Sequence, residues 1–594
     1  MQQSEETGSL VEHDTLTRSV VADGMRIDYD VPIPMEDGVV LRADVFGPID
    51  DGRWPVLLSY GPYAKGLAFQ EGYPDQWRLM CRDHPDVPDG STNKYQNWEV
   101  VDPEKWVPYS YVCVRVDSRG AGRSPGVLDL FSPRETKDFS NCIEWAGRQA
   151  WSNGKVGLSG ISYYAINQWH VAALQPPHLA AICPWEGAAD HYRDWSYHGG
   201  ILSMFTARWF PEQVKSVQHG VGERGRRDPN TGELVAGPET LSEEELARNR
   251  RDMAEQIEAH PFDDAFHRSR SPDWSTVKVP LLSSANWGGQ GLHPRGNFEG
   301  FTQSASTEKW LESHGLEHWT HYYTDYGREL QKRFFDYFLK GEGDWPESQP
   351  RVLLQVRSPG ERFEQRAENE WPLARTQWTR FYLDATSRSL LTDAPGSPAS
   401  VTYQGFGEGV TFSTFPLEEE TEITGPVAVK LFVSSVSEDV DLFLILRVFD
   451  PDGEEVHFKG TLDPHTPIGQ GWLRASHRAL EPELSTEWRP YHSHDEREPL
   501  TPGEVYELDV EIWPTSLVVP ASYRIALTVQ GKDYEYGGEP VNVGWFVLSG
   551  CGPFLHDNPH DRPAEIFGGD VIIHTGSEQP SSILLPVIPQ SGED

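Results

Sequence analysis

The sequence predicts an α/β domain, with a mainly parallel sheet and helices on both faces, followed by an all-β domain. Three observations carry that prediction. Strand-like runs at 111–116, 155–159 and 179–183 alternate with helix-like text at 134–149 and 163–174. After Gly341 the helical text gives way to short alternating strands at 351–356, 427–433, 442–448, 504–512 and 522–529. Turn residues such as Pro451-Asp452-Gly453 and Pro502-Gly503 separate them, the pattern of a β-sandwich. And 594 residues exceed what one core accommodates.

In chain order, residues 1–24 are polar and read as a loose lead-in. Runs 26–34 and 39–46 alternate like strands around Met35-Glu36-Asp37-Gly38, a hairpin signal. Run 54–60 is the next strand and ends at Gly61-Pro62-Tyr63. Residues 66–105 are rich in Trp, Tyr, Pro and Asp without a period, an insertion long enough to be functional. Strand 111–116 runs into Asp117-Ser118-Arg119-Gly120-Ala121-Gly122-Arg123-Ser124, and strand 179–183 into Pro184-Trp185-Glu186-Gly187. From 191 to about 274 the rhythm breaks. Ser242 and Glu245 form a capping box ahead of a charged helix to about 258, and the segment reads as a helical cap inserted after the sixth strand. The sheet resumes at 279–285, and helix 330–340 closes the domain. The expected division is catalytic domain 25–190 and 275–345, cap 191–274, and a jelly-roll-like β-domain 346–594.

Composition excludes some functions. A formal net charge of -40 argues against nucleic acid or an anionic membrane as partner; the acid is spread along the chain and reads as a solvating surface. Five scattered cysteines without a C-x-x-C, two of them (Cys113 and Cys183) in apolar runs, point to a reducing, cytoplasmic compartment. No signal peptide and no apolar run of about 20 residues is visible.

The chemistry centres on Gly160-Ile161-Ser162-Tyr163-Tyr164-Ala165. A serine between a strand and a helix, with glycine two residues before it, is the nucleophile elbow of α/β-hydrolases. The second glycine of G-x-S-x-G is replaced by Tyr164. Ser159 also follows a glycine by two residues, but it would lie inside the strand, so Ser162 is preferred. Serine needs a base, and the base a third group to hold it. The candidate bases are His314, His318 and His321. Metal chemistry competes weakly: His492-Ser493-His494-Asp495 and His318-x-x-His321 carry ligand-type residues, but neither is H-E-x-x-H on a helix. Neither a metal nor a cofactor is predicted.

With Tyr60-Gly61-Pro62-Tyr63, the Asp117–Ser124 stretch, Gly160-Ile161-Ser162-Tyr163 and the tail stretch Gly471-Trp472-Leu473-Arg474-Ala475-Ser476-His477-Arg478 in this order, the chain resembles the cocaine-esterase-like hydrolases. Their relatives are α-amino-acid ester hydrolases, glutaryl acylases and X-Pro dipeptidyl peptidases. The resemblance spans roughly residues 25 to 590. It implies an α/β-hydrolase core and acyl transfer, with Ser162 as nucleophile and the Tyr63 phenol and Tyr163 N–H as oxyanion donors. It also implies His318 as base, with His314 and His321 still open.

The third member departs from the family pattern. An Asp is expected just after strand 279–285, but the text there is Asn286-Trp287-Gly288-Gly289-Gln290. Glu186, at the end of the neighbouring strand, is the substitute, with Glu299 and Asp190 behind it; an ion pair of Glu186 with Arg193 is the competing expectation. Asp117 and Arg119 read as buttresses rather than catalytic groups.

The expected function is a serine hydrolase acting on a small ester or amide, in a pocket between the 66–105 insertion, the cap and the β-domain. One alternative is an X-Pro dipeptidyl peptidase, with an acid such as Glu71 or Asp75 holding a free amino group. The other is a catalytically impaired carbohydrate- or ligand-binding protein. A homo-oligomer stays open.

Overall fold

The computed structural model describes residues 17–589. Most of the lead-in lies outside these residues, but Arg18–Ala22 is a strand, paired antiparallel with Met25–Pro34. Its central Val20-Val21 favours an extended backbone, which the polar text around it masks. The Asp-Gly hairpin forms as read: Met25–Pro34 pairs antiparallel with Val40–Gly47, and Gly38 takes a left-handed φ of 86°.

The α/β sheet runs, in order, Arg18–Ala22, Met25–Pro34, Val40–Gly47, Val112–Asp117, Trp54–Gly61, Ser152–Ile161, Leu179–Trp185, Leu281–Asn286, Lys309–His314, Val352–Ser358, beyond which Arg362–Glu368 pairs antiparallel. From Val112–Asp117 to Val352–Ser358 every neighbour is parallel. Central strands of such a sheet are covered on both faces, and Val112–Asp117 is buried at every position. Helix Pro133–Gly147 starts where Ser132 Oγ accepts the Glu135 N–H and Pro133 needs no partner. It packs with helix Tyr163–Ala173 on an apolar layer that includes Leu58, Val114, Phe139, Ile143, Leu158 and Trp169.

Three regions depart from the sequence reading. The 66–105 insertion holds a helix, Pro74–Asp83, and is fixed by aromatic packing, with the Tyr73 and Trp98 rings stacked 4.1 Å apart. In segment 191–274 the capping box at Ser242 and Glu245 is present, but its helix stops at Arg248 and a second begins at Met253. The break has a cause: Leu128 N–H donates to Asn249 O, and Arg251 N–H to Leu128 O, so this backbone bonds outside the helix. The segment is otherwise short turns of helix and a small hairpin, Tyr197–His198 with Ile201–Leu202. Strand Val352–Ser358, read as the start of the β-domain, pairs antiparallel with Arg362–Glu368 and also parallel with Lys309–His314, so it joins the β-domain to the α/β sheet. Its buried Arg357 donates to Ser516 O, Ile468 O and Thr515 Oγ1, tying the two domains together.

The remaining strands, among them Thr421–Ser435, Asp441–Phe449, Tyr506–Val519, Arg524–Gln530 and Ser582–Ile588, pair mainly antiparallel around an aliphatic core that includes Leu431, Leu444, Leu446, Val510 and Leu527. Among the described residues no helix is long and apolar enough to cross a membrane.

Candidate active site

Ser162 sits at the turn between strand Ser152–Ile161 and helix Tyr163–Ala173, with φ 53° and ψ -115°. For a residue with a Cβ this conformation costs about 1–3 kcal/mol and persists only where the surroundings impose it. They do so here. The Ser162 N–H donates to Trp185 O and Glu186 O, both at 3.2 Å, and Ile161 N–H donates to Glu99 O. A Cβ on Gly160 would meet Tyr164 Cβ at 2.4 Å, so only glycine fits before the serine. Ser159 is spent elsewhere, bonded to Tyr322 Oη and Gln331 Oε1.

The oxyanion candidates flank it. The Tyr163 N–H lies in the first helical turn, where N–H groups have no intrahelical partner and the helix dipole is positive. The Tyr163 hydroxyl donates to Glu135 Oε2 at 2.6 Å, which anchors the elbow. Tyr63 is buried and packs edge-on to the Tyr163 ring, 6.0 Å away. Burial pushes its phenol well above the ordinary range, so it keeps its hydrogen. Trp209 Nε1–H donates to Tyr63 Oη at 3.2 Å. Indole only donates, so the phenol hydrogen stays available for an oxyanion. Asp117 holds the Tyr63 loop, accepting from the Lys65 and Arg123 N–H groups at 2.6 and 2.7 Å, and Arg119 pairs with Asp138. These contacts go to the Tyr63 loop and to helix Pro133–Gly147, not to the Ser162 elbow.

The histidines are arranged differently from the expectation. Ser162 Oγ bonds His293 Nε2 at 3.2 Å, not His318. His293 lies in the loop after Leu281–Asn286, just ahead of helix Pro294–Gln303. Its ring stacks on His318, with centroids 4.5 Å apart and planes 7° from parallel. His318 Nδ1 bonds Glu186 Oε2 at 2.7 Å, and its Nε2 bonds Glu99 Oε1 at 2.9 Å. His314 is behind Glu186 rather than beside the serine: Nε2 meets Glu186 Oε1 at 3.0 Å and Nδ1 meets Glu312 Oε2 at 2.8 Å. His321 packs edge-on to His314 and Tyr326.

Glu186 thus takes the position predicted for it, fully buried under His318. The competing pairing is absent among the described residues, because Arg193 pairs with Asp190 and Asp263. Glu299 pairs with Arg489, so neither alternative acid joins the array. Asn286, where the family pattern places an acid nearby, donates from Nδ2 to Leu316 O and weakly to Glu186 Oε2.

The electrostatics follow from proximity. Burial alone would raise Glu186, but His318 and His314 hold it well below the usual carboxylate range. Burial would lower His318 and His314, yet the flanking carboxylates carry each to about 9. Burial pushes Glu99 up to about 7 against the pull of His318. His293 is held well below its ordinary value, by burial and by the nearby His318 charge.

Glu99, His293 and Trp209 are what the sequence reading missed. Glu99 was one acid among several in the insertion, whereas Glu71 is on short helix Phe69–Gly72 and Asp75 pairs with Arg78. Glu186, His293 and His318 also offer donor atoms within 4.8 Å of one another, a spacing a cation could bridge. A cation there would take the carboxylate away from His318 Nδ1, the contact that orients the imidazole. In the other ligand-like stretch the Arg193 guanidinium bonds the His492 and Ser493 carbonyls, an environment that repels a cation. The open cavity of about 610 Å³ lined by Asp190, Arg193, Arg295 and Glu299 contains none of the Ser162 array. The array is walled by Trp98 and Glu99 of the insertion, Trp209 of segment 191–274, and Phe554 of the β-domain.

Residues 37–323 match the family described as X-Pro dipeptidyl-peptidase (S15 family). Residues 344–584 match the X-Pro dipeptidyl-peptidase C-terminal non-catalytic domain. The chain is 31% identical to a CocE/NonD family hydrolase from Staphylococcus aureus of known structure, covering 97% of this chain and 98% of that one with a TM-score of 0.82. It is 25% identical to cocaine esterase from Rhodococcus, over 94% of this chain and 98% of that protein. An α-amino acid ester hydrolase shares the fold at 17% identity, TM-score 0.63, over 98% and 100% of the two chains.

Proposed function

The chain belongs to the CocE/NonD family of serine hydrolases, and on that premise we propose that it cleaves a small ester or amide through an acyl-enzyme on Ser162. The observation that carries this is the strained Ser162 elbow, bonded to His293 Nε2 at 3.2 Å, with the Glu186-held imidazole of His318 stacked on the His293 ring. Ser162 attacks the carbonyl, the Tyr63 phenol and Tyr163 N–H receive the oxyanion, and water releases the acyl group. His318 is the base, because it alone of the two stacked imidazoles is oriented by a carboxylate, Glu186. For His318 to act, substrate must displace Glu99 from its Nε2. Segment 191–274 serves as a cap, and the five unpaired cysteines fit a reducing cytoplasm.

A second reading of the base is favoured by the contact itself: His293 is neutral and already bonded to Ser162. Two alanine variants separate them. On the first reading His318→Ala loses about 10⁴-fold or more in kcat while His293→Ala keeps most of it. The opposite order assigns the proton to His293. Labelling of the native enzyme with a fluorophosphonate, lost in Ser162→Ala, tests the nucleophile; an unlabelled native chain would point to the impaired binding protein.

On the substrate side, Glu99 Oε2 is buried without a hydrogen-bond partner, which favours a cationic amino group as in X-Pro dipeptides. A panel of p-nitrophenyl esters beside X-Pro anilides decides between esterase and peptidase.

A further inference from the structure

Glu186 does not stand alone with His318. It is the middle of a chain of five side chains, Glu99–His318–Glu186–His314–Glu312, joined by contacts of 2.9, 2.7, 3.0 and 2.8 Å. Glu186, His314 and Glu312 have no exposed surface at all. Beyond Glu312 the chain is closed by Ser284 Oγ on Oε2 and Tyr326 Oη on Oε1 at 3.1 Å.

Hydrogen-bond bookkeeping defines what His314 is. Ionised carboxylates only accept. With a carboxylate oxygen on each nitrogen, His314 carries hydrogen on both, and is an imidazolium. Burying such a pair costs several kcal/mol of desolvation, and hydrophobic packing could fill the space at less cost. Two features of the elbow give the pair a task. Glu186 follows the strand next to the one where the family pattern places the acid, and it reaches the imidazole on a glutamate side chain with three torsions to restrain. His318 fixes only Oε2; the firm contact on Oε1 is His314.

We propose that His314, itself held by Glu312, is a positioning residue for the hydrolysis: it locks Glu186 in the one orientation and ionised form that can hold His318. This inference rests on Glu186 orienting the base. His314 touches neither substrate nor Ser162 and acts through Glu186 alone.

The test is a kinetic series on the full-length enzyme. His314→Leu removes the donor and should lower kcat about 10–100-fold with KM within about 2-fold, the loss expected when a catalytic group drifts by about 1 Å. His314→Gln keeps a donor for Glu186 and should recover much of that loss. A packing role would instead move the melting temperature and leave the two variants alike in kcat. In a Glu186→Gln background His314→Leu should cost nothing further, since the group it positions is gone. His314→Leu that is folded and turns over at the wild-type rate overturns the inference while leaving the Glu186 assignment intact. Should His314→Leu not fold, His314→Phe, which keeps a ring but also lacks the donor for Glu186 Oε1, overturns the inference equally if it turns over at the wild-type rate. Glu186→Gln with wild-type kcat removes the premise and the inference together.

Discussion

Two buried histidine chains in this molecule have opposite electrostatics. In the active-site chain His318 and His314 each lie between carboxylates and are driven up to about 9. At the contact between segment 191–274 and the β-domain, His198 Nδ1 meets His556 Nε2 at 2.8 Å, and His556 Nδ1 meets Asp533 at 2.8 Å. There one carboxylate serves two rings, with a long contact of 3.4 Å from His198 Nε2 to the Asp194 carbonyl, and burial with the neighbouring ring holds His198 well below its ordinary value. Burial by itself discharges an imidazole; only a carboxylate on each nitrogen keeps it charged. Of these two chains, the carboxylate-flanked one is where the imidazoles are driven up.

The largest expected effect comes from breaking the active-site chain at its centre. Glu186→Gln should lower kcat by about 10³–10⁴-fold, as loss of the orienting carboxylate does in triads, with Ser162 still labelled slowly by a fluorophosphonate. Retention of near-wild-type kcat would move the acid elsewhere.

Next is the oxyanion side. Tyr63→Phe should cost about 10²-fold in kcat, the usual worth of one such donor. Trp209→Phe, which removes the N–H that directs the phenol, should cost about 10-fold, and nothing further once Tyr63 is Phe. Full additivity of the two would mean that Trp209 acts by packing.

A pH profile sharpens the comparison. A base must be neutral, so if His318 serves, kcat/KM rises with pH and levels off above about 9. If His293 serves, its depressed value leaves kcat/KM flat well below neutrality. Stability shows the same contrast. The raised His318 and His314 contribute stability below the unfolded value of 6.5 that is lost as pH rises toward about 9. The depressed His198 contributes stability above 6.5 that is lost as pH falls below it. Denaturant midpoints measured across this range should therefore fall on both sides of neutrality.

The smallest effect is at the second chain. His198→Gln should leave kcat unchanged and cost about 1–3 kcal/mol of stability, the penalty for an unsatisfied buried partner, read by denaturant melts. A fall in kcat there would tie the domain contact to catalysis.

How much was legible depended on range. The elbow was readable because strand, glycine, serine and helix are consecutive, and local sterics and hydrogen bonding impose the turn. Glu186 was readable because the end of an adjacent parallel strand is brought to the same sheet edge by topology alone. The charged helix to about 258 was misread because Leu128, far away in sequence, captures the backbone between 249 and 251. That strand Val352–Ser358 pairs with Lys309–His314 on one side and Arg362–Glu368 on the other was not readable, because period and composition do not encode a partner.

By itself the sequence determined the order of elements, the serine elbow and the acid at the end of the neighbouring strand, since each follows from short-range pattern and sheet order, whereas Tyr63 and Tyr163 became oxyanion candidates only through the family resemblance. Only the tertiary structure decided which imidazole meets Ser162, that Glu99 occupies His318, and that His314 belongs behind Glu186. Those pairings join residues 131, 219 and 128 positions apart. They are set by how loops fold over the sheet edge and by the need of each buried charge for a partner, and neither is written in the local sequence.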